Sequence, residues 1–310
     1  MTTALISGRA TQSPGRGRRP RRSRATRPSV AFALPLVAFL GVFVAYPMAK
    51  LVQMSVSTVN PSTILHTWPF VGLANFRHLF ADPEFHRTVW RTVIFAVVVL
   101  VIGVSGGLIA ALSLQGRRKF GAFTYALLVL MWTLPPIVSG STWKFLLSND
   151  GFINELLVNT HLVSQPVLFL IDGWLPLLSV AFAAGWVCLP FATIAFKAAL
   201  LDIPRERLEA AEVDGAGPLQ RFAHVTWPHL RPTTYVVSIL IMSYAVRSFD
   251  FAYVMTQGGP GTASTTLPLL GYSSAFTAFN YSTGAAIAVV TIVVVMLFAL
   301  PYARTVGRRE

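Results

Sequence analysis

The first residues in this chain that could do chemistry form a possible serine nucleophile. Gly103-Val104-Ser105-Gly106-Gly107 matches the G-x-S-x-G pattern that presents the reactive serine of many hydrolases. Such a serine needs a base within hydrogen-bond distance, but the six histidines all fall in loops between apolar segments: His66, His78, His86, His161, His224 and His229. We therefore interpret the glycines as a close helix-packing face and expect no catalytic residue and no metal site.

The second group consists of polar residues inside an apolar segment. Ser243, Arg247 and Asp250 follow i, i+4, i+7 spacing, which places them on one face of a helix. Polar groups within a membrane avoid lipid by facing a bundle interior or an aqueous path, so this face is a candidate lining for a solute pathway. The alternative is that Arg247 and Asp250 only neutralise each other as an i, i+3 pair.

Composition places these residues in a membrane protein. Apolar residues make up 54% of the 310, charged residues only 12%, and the mean hydropathy is +0.60. The fold class predicted is all-α, a polytopic membrane protein with six transmembrane helices, because about 20 residues cross a hydrocarbon core of about 30 Å. The predicted spans are Val30–Ala49, Thr92–Gln115, Phe120–Trp143, Gly173–Phe196, Thr233–Val254 and the region of Gly284–Ala303. The fifth contains Arg247 and Asp250, which an insertion cost of about 2.5–3.5 kcal/mol each allows.

The positions of the cations predict the orientation. With the N-terminus inside, the cytoplasmic segments hold the arginines between Arg9 and Arg27, those of Arg117–Lys119, the cations from Lys197 to Arg231, and Arg304–Arg309. The outer loops keep only Arg77, Arg87, Arg91 and Lys144, with Lys50 at the margin. The positive-inside rule therefore predicts that both termini face the cytoplasm.

The net charge of +13 is explained by this topology rather than by nucleic acid. Residues 1–29 form a basic segment rich in Arg, Pro, Gly and Ser, which we predict to be a disordered cytoplasmic tail near anionic lipid headgroups. Residues 30–304 form the predicted membrane domain and residues 305–310 a short C-terminal tail. The single cysteine, Cys188, lies inside a span, so no disulfide framework forms within the chain.

Residues 198–232, called the EAA loop below, form a polar, helix-forming insert between the fourth and fifth spans. Asp202 is a candidate N-cap for a helix over Arg205–Val213, and Gly215 and Gly217 end that helix. Pro218 opens a second helix through Phe222–Trp227 that Pro228 ends. The predicted apolar surface of the loop consists of Leu208, Ala211, Phe222, Val225 and Trp227. Such a surface suits the groove of a cytoplasmic partner, although an amphipathic loop resting on the membrane has the same composition.

The loop resembles a known signature. The order Glu209-Ala210-Ala211, Gly215, Val225 and Trp227-Pro228 is similar to the EAA motif of permease subunits in binding-protein-dependent ABC importers, with Val225 and Trp227 standing where Ile and Leu are typical. Further segments resemble carbohydrate-importer permeases: Val71–Phe76, Asp82–Phe85, Thr92–Phe95 and Phe249–Thr265, where Gln257 replaces the first glycine of a Thr-Gly-Gly-Gly-Pro element. The matches cover Val30–Tyr302 and are most similar to the first permease of maltose and glycerol-phosphate importers.

The resemblance implies a type I ABC importer permease fold and a subunit that does no chemistry itself. ATP and Mg would bind to separate ATPase subunits, and the EAA loop would dock into an ATPase cleft. Glu209, Ala210 and Ala211 would form the docking helix, Asp214, Gly215 and Ala216 the turn, and Pro228 the end of the second helix. The sequence agrees, because none of the lysines precedes Ser or Thr as a phosphate-binding P-loop requires.

The resemblance also implies partners and a place in the cell. The chain would form a heterodimer with a second permease in the bacterial plasma (inner) membrane, with two ATPases and an extracytoplasmic substrate-binding protein landing on the loops Ser55–Arg91 and Lys144–Asp172. The cargo would be a sugar or sugar-like solute, and an accessible Arg247 equally suits a sugar phosphate or glycerophosphodiester.

Two other classes compete with this interpretation. A rhomboid-like intramembrane serine protease would use Ser105, so that Ser105→Ala would abolish its function. A passive channel would need no dock for an ATPase, and the EAA loop therefore favours the transporter.

Overall fold

The computed structural model describes residues 30–115 and 118–306 and is helical throughout. The predicted basic tail at residues 1–29 and the last four residues of the predicted C-terminal tail, 307–310, lie outside the described residues. Within the described ranges the only extended pairing is an isolated antiparallel bridge between Ser57 and Phe70. The part of the chain that the structure describes falls into two compact units, one ending at Pro47 and the other beginning at Met48.

Fourteen α-helices make up the described chain, several of them short. They are α1 (Val30–Leu40), α2 (Tyr46–Ser55), α3 (Ala74–Ala81), α4 (Pro83–Ser113), α5 (Arg118–Thr133), α6 (Pro136–Leu146), α7 (Phe152–Asn159), α8 (Leu175–Leu201), α9 (Arg205–Val213), α10 (Pro218–Arg221), α11 (Trp227–Val246), α12 (Asp250–Met255), α13 (Leu267–Tyr272) and α14 (Tyr281–Val306). Three π-helical turns join neighbours, at Gly41–Ala45, Phe222–Thr226 and Ser273–Thr277.

Several of these helices are long and apolar enough to cross a membrane. Among the described residues there are four, Ala33–Ser55, Pro83–Ser113, Leu175–Leu201 and Tyr281–Phe298, and a fifth if the bent pair Phe123–Thr133 and Pro136–Leu146 is one span. The two halves of that pair meet at an angle of 103°. The break falls at Pro135 and Pro136, because proline disfavours helical backbone in the residue before it and supplies no N–H.

The predicted fifth span corresponds to α11, which is long enough but less apolar. Its first turns contain His229, Arg231 and the prolines Pro228 and Pro232. In the N-terminal unit, the described side chains of residues 33–47 are all exposed, as expected of apolar residues that face lipid.

The centre of the larger unit is a close contact between α4 and α8. A Cβ added to Gly107 would overlap the Cβ of Ala192 and lie 3.1 Å from the Thr193 nitrogen, and a Cβ at Gly106 would overlap Leu189. The contact is reciprocal, because a Cβ at Gly185 on α8 would lie 2.9 Å from Ile102 Cβ. The small residues of α4 therefore allow the two backbones to approach closely, and the packing interpretation of this motif is confirmed.

Ser105 points away from that contact. Its side chain is exposed, and its hydroxyl donates to the Val101 carbonyl of the same helix. The expectation that every histidine lies in a loop is wrong, since His78 lies in α3, His86 in α4, His224 in the π-helical turn Phe222–Thr226 and His229 in α11. None of the described histidines forms a hydrogen bond with the Ser105 hydroxyl, so none of them acts as its base.

The bent pair α5 and α6 runs antiparallel to α8. Lys197 lies over the Tyr125 ring at 4.9 Å, Trp132 lies 6.2 Å from Phe191, and Trp143 lies 5.6 Å from Trp186. From Tyr125 to Trp143, the residues contacted on α8 run in the reverse order, from Lys197 to Trp186. The pair therefore follows α8 from one end towards the other despite its bend.

The glycine contact generates a stability prediction. Gly107→Ala should lower the stability of the purified protein by about 1–3 kcal/mol, because the new methyl group meets Ala192 and backbone that cannot move away. The matched control is Gly121→Ala on α5, where a Cβ has only the Leu114 carbonyl within 4 Å, at 3.9 Å. That variant should be neutral or stabilising, since alanine is the better helix former. Thermal unfolding in detergent measures both, and equal midpoints would contradict the packing argument.

Candidate functional site: the EAA loop and an aromatic cavity

The first helix of the EAA loop begins directly after a proline and lacks the predicted aspartate cap. Helix α9 begins at Arg205, after Pro204, whose backbone is extended. Asp202 is the C-terminal cap of α8 rather than the predicted N-cap, because α8 continues to Leu201. Glu209, Ala210 and Ala211 all lie on α9, as the sequence predicts.

Gly215 ends α9 in a Schellman motif. Its φ of +78° lies in the left-handed region, its N–H donates to the Glu212 carbonyl at 3.0 Å, and the Ala216 N–H donates to the Ala211 carbonyl at 2.9 Å. Asp214 is the cap residue before it. A Cβ at Gly215 would have no atom of the described residues within 4 Å. Within this chain, therefore, the backbone angle and not a close contact requires glycine here.

The second helix of the loop does not end at Pro228. Helix α10 passes through the π-helical turn Phe222–Thr226 directly into α11, and Pro228 lies in the first turn of α11. The predicted end is wrong because the π-turn bond from the Trp227 N–H to the Phe222 carbonyl widens the helix next to the proline. A wider turn accommodates a ring that would otherwise clash with the carbonyl four residues earlier.

The exposed apolar surface of the loop differs from the predicted one. Leu208 and Val225 pack against the hydrophobic core. Val213 and Leu219, on either side of the Gly215 turn, are 88% and 80% exposed. Glu209, Ala210, Asp214 and Gly215 are exposed, Pro228 is exposed as well, and Ala211 and Ala216 are half-buried.

Two contacts hold the hairpin together. Arg221 on α10 forms an ion pair with Glu212 on α9, with Nη1 and Oε2 3.1 Å apart. The Gln220 side chain accepts the Gly217 N–H at 2.9 Å, which caps α10. The loop is thus a preformed helical hairpin with two apolar side chains and an acidic edge facing outward.

At the far end of α11 the predicted polar stripe is interrupted. The helix ends at Val246, Arg247 is its C-terminal cap, and a new helix begins at Asp250. The single helix expected over Thr233–Val254 is therefore wrong, and the three polar residues do not share one helical face. Arg247 and Asp250, both described, form no ion pair within 4.0 Å, which removes support for simple mutual neutralisation. Ser243 donates its hydroxyl to the Ile239 carbonyl at 2.8 Å.

Arg247 lines a cavity of about 570 Å³ that Ser243 and Asp250 do not reach. Four aromatic side chains share the lining: Phe249, Tyr272, Phe276 and Tyr281. Phe249 lies 4.9 Å from Tyr272, which lies 5.2 Å from Phe276, so the rings form a connected wall. The rest of the lining is mostly aliphatic, from α13 and α14. One cation beside several ring faces can bind a ligand that has both polar groups and an apolar face.

Tyr253 extends this aromatic wall from behind. Its ring stacks on Phe249 at 5.0 Å and meets the edge of Tyr272 at 5.4 Å. Hydrogen bonding to Tyr253 raises the pKa of the Tyr272 hydroxyl. Sequence reasoning missed this cluster, although Tyr272 and Phe276 at i, i+4 spacing were a readable signal for it.

The Gly-Gly-Pro element forms a tight loop between α12 and α13. Gln257, Gly258 and Gly261 have φ values of +51°, +87° and +58°. Ser264 donates to the Gly259 carbonyl at 2.8 Å, and the Thr256 and Ser264 hydroxyls are 2.7 Å apart. The loop delivers the chain to α13, whose first N–H, from Leu267, donates to Thr92 of α4 at 2.9 Å. In this way α4 positions the helix that forms one wall of the cavity.

These features define a class of protein: a polytopic helical membrane protein with a compact hairpin at one end and a cavity near the other. Residues 103–307 match the family of binding-protein-dependent transport system inner membrane components. The chain is 33% identical over 276 residues to the trehalose/maltose transport system permease protein MalF of Thermococcus litoralis, covering 89% of this chain and 92% of that protein. The chain belongs to this family.

A second relative and a solved structure agree. The chain is 28% identical to the sn-glycerol-3-phosphate transport system permease protein UgpA of Agrobacterium fabrum, covering 89% of this chain and 93% of that one. The crystal structure of a bacterial ABC transporter involved in the import of the acidic polysaccharide alginate contains a chain with a TM-score of 0.75 at 21% identity, covering 90% of this chain and 94% of that chain. This likeness shows the type I ABC importer permease fold.

The Gly-Gly-Pro loop generates a paired prediction. Gly258→Ala should destabilise the protein by about 2 kcal/mol or more, because its φ disfavours a side chain and the Cβ would lie 2.6 Å from Thr265 Oγ1. Gln257→Gly should be neutral or slightly stabilising, since Gln257 already occupies a left-handed position. Thermal unfolding of both purified variants is the measurement. A loss at Gln257→Gly as large as at Gly258→Ala would show that the backbone angle is not the relevant property.

Proposed function

We propose that this chain is the permease subunit of an ATP-driven importer, forms half of the translocation pathway for a sugar or sugar-like solute, and couples to a separate ATPase through the EAA loop. The observation that carries the proposal is the preformed hairpin. It is capped at Gly215, tied by Glu212 and Arg221, and exposes Val213 and Leu219. Exposed apolar side chains on a rigid polar hairpin are suited to a groove in a partner.

The topology proposed has six spans with both termini in the cytoplasm. Helix α11 has 20 residues, long enough at about 30 Å, and its Ile241 side chain packs close to Gly103 on α4. The steady contacts of α5 and α6 along α8 support counting that bent pair as a single crossing. With α11 included, the number of crossings is even, and the basic residues of the EAA loop favour the cytoplasmic side.

The solute class follows from the cavity and from the relatives. A sugar has a C–H face that packs on aromatic rings and hydroxyls that bind a cationic donor, and the cavity offers both through Tyr272, Phe276 and Arg247. Relatives are permeases for trehalose and maltose and for glycerol 3-phosphate. Arg247 favours a phosphate-bearing cargo as the second candidate, because a guanidinium binds phosphate oxygens strongly.

The proposed assembly contains parts that this chain does not supply. A second permease would complete the pathway as a heterodimer in the bacterial inner membrane, two ATPase subunits would bind ATP and Mg, and an extracytoplasmic substrate-binding protein would deliver the solute to the loops Ser55–Arg91 and Lys144–Asp172. The chain itself would act without catalysis, metal or cofactor.

The docking role predicts the effect of a charge on the hairpin. Leu219→Asp should reduce co-purification of the ATPase at least about tenfold, because central apolar contacts carry most of the energy of an interface. Leu162→Asp is the matched control, since Leu162 is 73% exposed at a site outside the hairpin. Quantitative pull-down of the tagged permease from membranes measures both.

Substitutions at Gly215 in the turn test the same docking role independently. Gly215→Asn should retain most of the ATPase, because Asn tolerates left-handed backbone, whereas Gly215→Val should lose it. If Leu219→Asp and Gly215→Val both kept the ATPase at the level of Leu162→Asp, the hairpin would not be the dock.

The cavity predicts a role for Arg247 in uptake. Arg247→Ala should raise the solute concentration for half-maximal uptake about tenfold or more, because a charged hydrogen bond contributes about 1.5–3 kcal/mol. Asp250→Asn, which lies outside the cavity, should have little effect. Transport into proteoliposomes, with assembly verified by gel filtration, is the measurement. Unchanged uptake by an assembled Arg247→Ala complex would remove Arg247 from the pathway.

A further inference from the structure

A second cleft, polar rather than aromatic, opens at the same end of the bundle as the cavity. It has a volume of about 610 Å³ and lies between the loop that follows α2, helix α3 and the start of α14. The side chains that matter here are Asn60, Asn75, His78, Phe279, Asn280 and Thr283. Among the residues that the structure describes, no Asp, Glu, Lys or Arg side chain lines it.

The walls of the cleft are tied together by specific hydrogen bonds. Ser282 at the start of α14 accepts the Val59 N–H at 2.6 Å and donates to the Val59 carbonyl at 3.2 Å. Asn75 on α3 donates through Nδ2 to the carbonyls of Ser55 and Ser57, both at 2.9 Å. Val59 is 1% exposed, so the loop is anchored at its base. The cleft is therefore preformed and not a gap between mobile loops.

These bonds leave one half of each amide available. Asn60 accepts the Ser62 and Thr63 N–H groups through Oδ1, and Asn280 accepts the Thr283 N–H through Oδ1. Each of them keeps its Nδ2 donors free, while Asn75 keeps its Oδ1 acceptor free. His78 is exposed on α3 and adds a ring that can donate or accept.

The lining of the cleft also includes an exposed aromatic ring. Phe279 is 53% exposed, and the turn that presents it is fixed by backbone bonds from Ala278 to Ser273 at 2.8 Å and from Asn280 to Ser274 at 2.9 Å. Fixed uncharged donors, a fixed acceptor and one apolar ring match a neutral polyhydroxyl molecule. An anion would find no cation in this lining, and a metal ion would find no carboxylate.

We propose that this cleft is an outer subsite for a neutral sugar, which receives the solute before it reaches the aromatic cavity. The start of α14 borders both sites, because Tyr281 and Gly284 line the cavity while Asn280 and Thr283 line the cleft. The cleft and the cavity are therefore lined by neighbouring residues at the start of α14. This inference rests on the proposed function as a sugar permease.

The test uses the assembled transporter in proteoliposomes, with maltose, trehalose and diacetylchitobiose as the sugars. Ala278→Trp places an indole at an exposed position of the cleft lining, and His78→Leu removes its ring nitrogens. Each should raise the sugar concentration for half-maximal uptake by about threefold to tenfold, the effect of losing one or two hydrogen bonds.

Matched controls separate the cleft from its surroundings. Ala81→Trp and His66→Leu make the same changes at exposed positions of the proposed landing loop Ser55–Arg91 that lie outside the cleft lining, so they share any effect on the substrate-binding protein, and only a loss of uptake beyond theirs belongs to the cleft. If the cleft variants behave like these controls, the subsite does not exist. If the cleft variants instead weaken only the binding of the substrate-binding protein, measured by pull-down, the cleft is a protein contact and the inference is overturned.

Sugar uptake by the wild-type protein distinguishes failure of the subsite from failure of the proposed function. Uptake of at least one of the sugars by wild type, together with normal uptake by Ala278→Trp and His78→Leu, overturns the subsite and leaves the proposed function standing. ATP-dependent uptake of none of the three sugars by wild type removes the support for a neutral-sugar permease and the subsite with it.

Discussion

The close contact of α4 with α8 is the constraint on which the rest of the larger unit depends. Neither helix can gain hydrophobic free energy by leaving lipid for protein, so their association relies on packing at short range. Gly103, Gly106 and Gly107 allow this close approach because they have no side chains, and any side chain on Gly107 would meet Ala192. The other elements then use this pair as a base: α5 and α6 follow α8, Ile241 of α11 packs beside Gly103, and Thr92 of α4 holds the start of α13.

The same framework connects the hairpin to the cavity through one continuous helical rod. From Pro218 the chain runs through α10, the π-helical turn and α11 to Val246 as consecutive helical elements with no intervening loop, a length of roughly 40 Å. The hairpin lies at one end of this rod and Arg247 at the other. The proposed coupling requires that a displacement of the hairpin reach the wall of the cavity, and this helical connection is the element that would transmit it.

Sequence reasoning predicted the positions of the apolar helices and of the Gly215 turn, since both follow from local properties: hydrophobic length, and the need for a left-handed residue after α9. It failed where contacts between residues far apart in the sequence determine which side chains are buried. Val225 and Leu208 were expected on the loop surface but pack on the core, while Val213 and Leu219 face outward. The π-helical turn also escaped prediction, because Pro228 reads as a stop unless the widened turn before it is known. The coupling residues themselves remain predictions.

The order of the charged residues that follow α11 nevertheless favours a break in the helix at this point. Taken as one helix, Arg247 and Asp250 are an i, i+3 pair. Taken as two helices, Arg247 lies at a C-terminus, where free carbonyls favour a cation, and Asp250 lies in a first turn, where free N–H groups favour an anion. Each charge is then stabilised by its own helix end and needs no partner. Arg247 consequently lines the cavity without a described ion-pair partner, which is the arrangement that the proposed role of Arg247 in uptake requires.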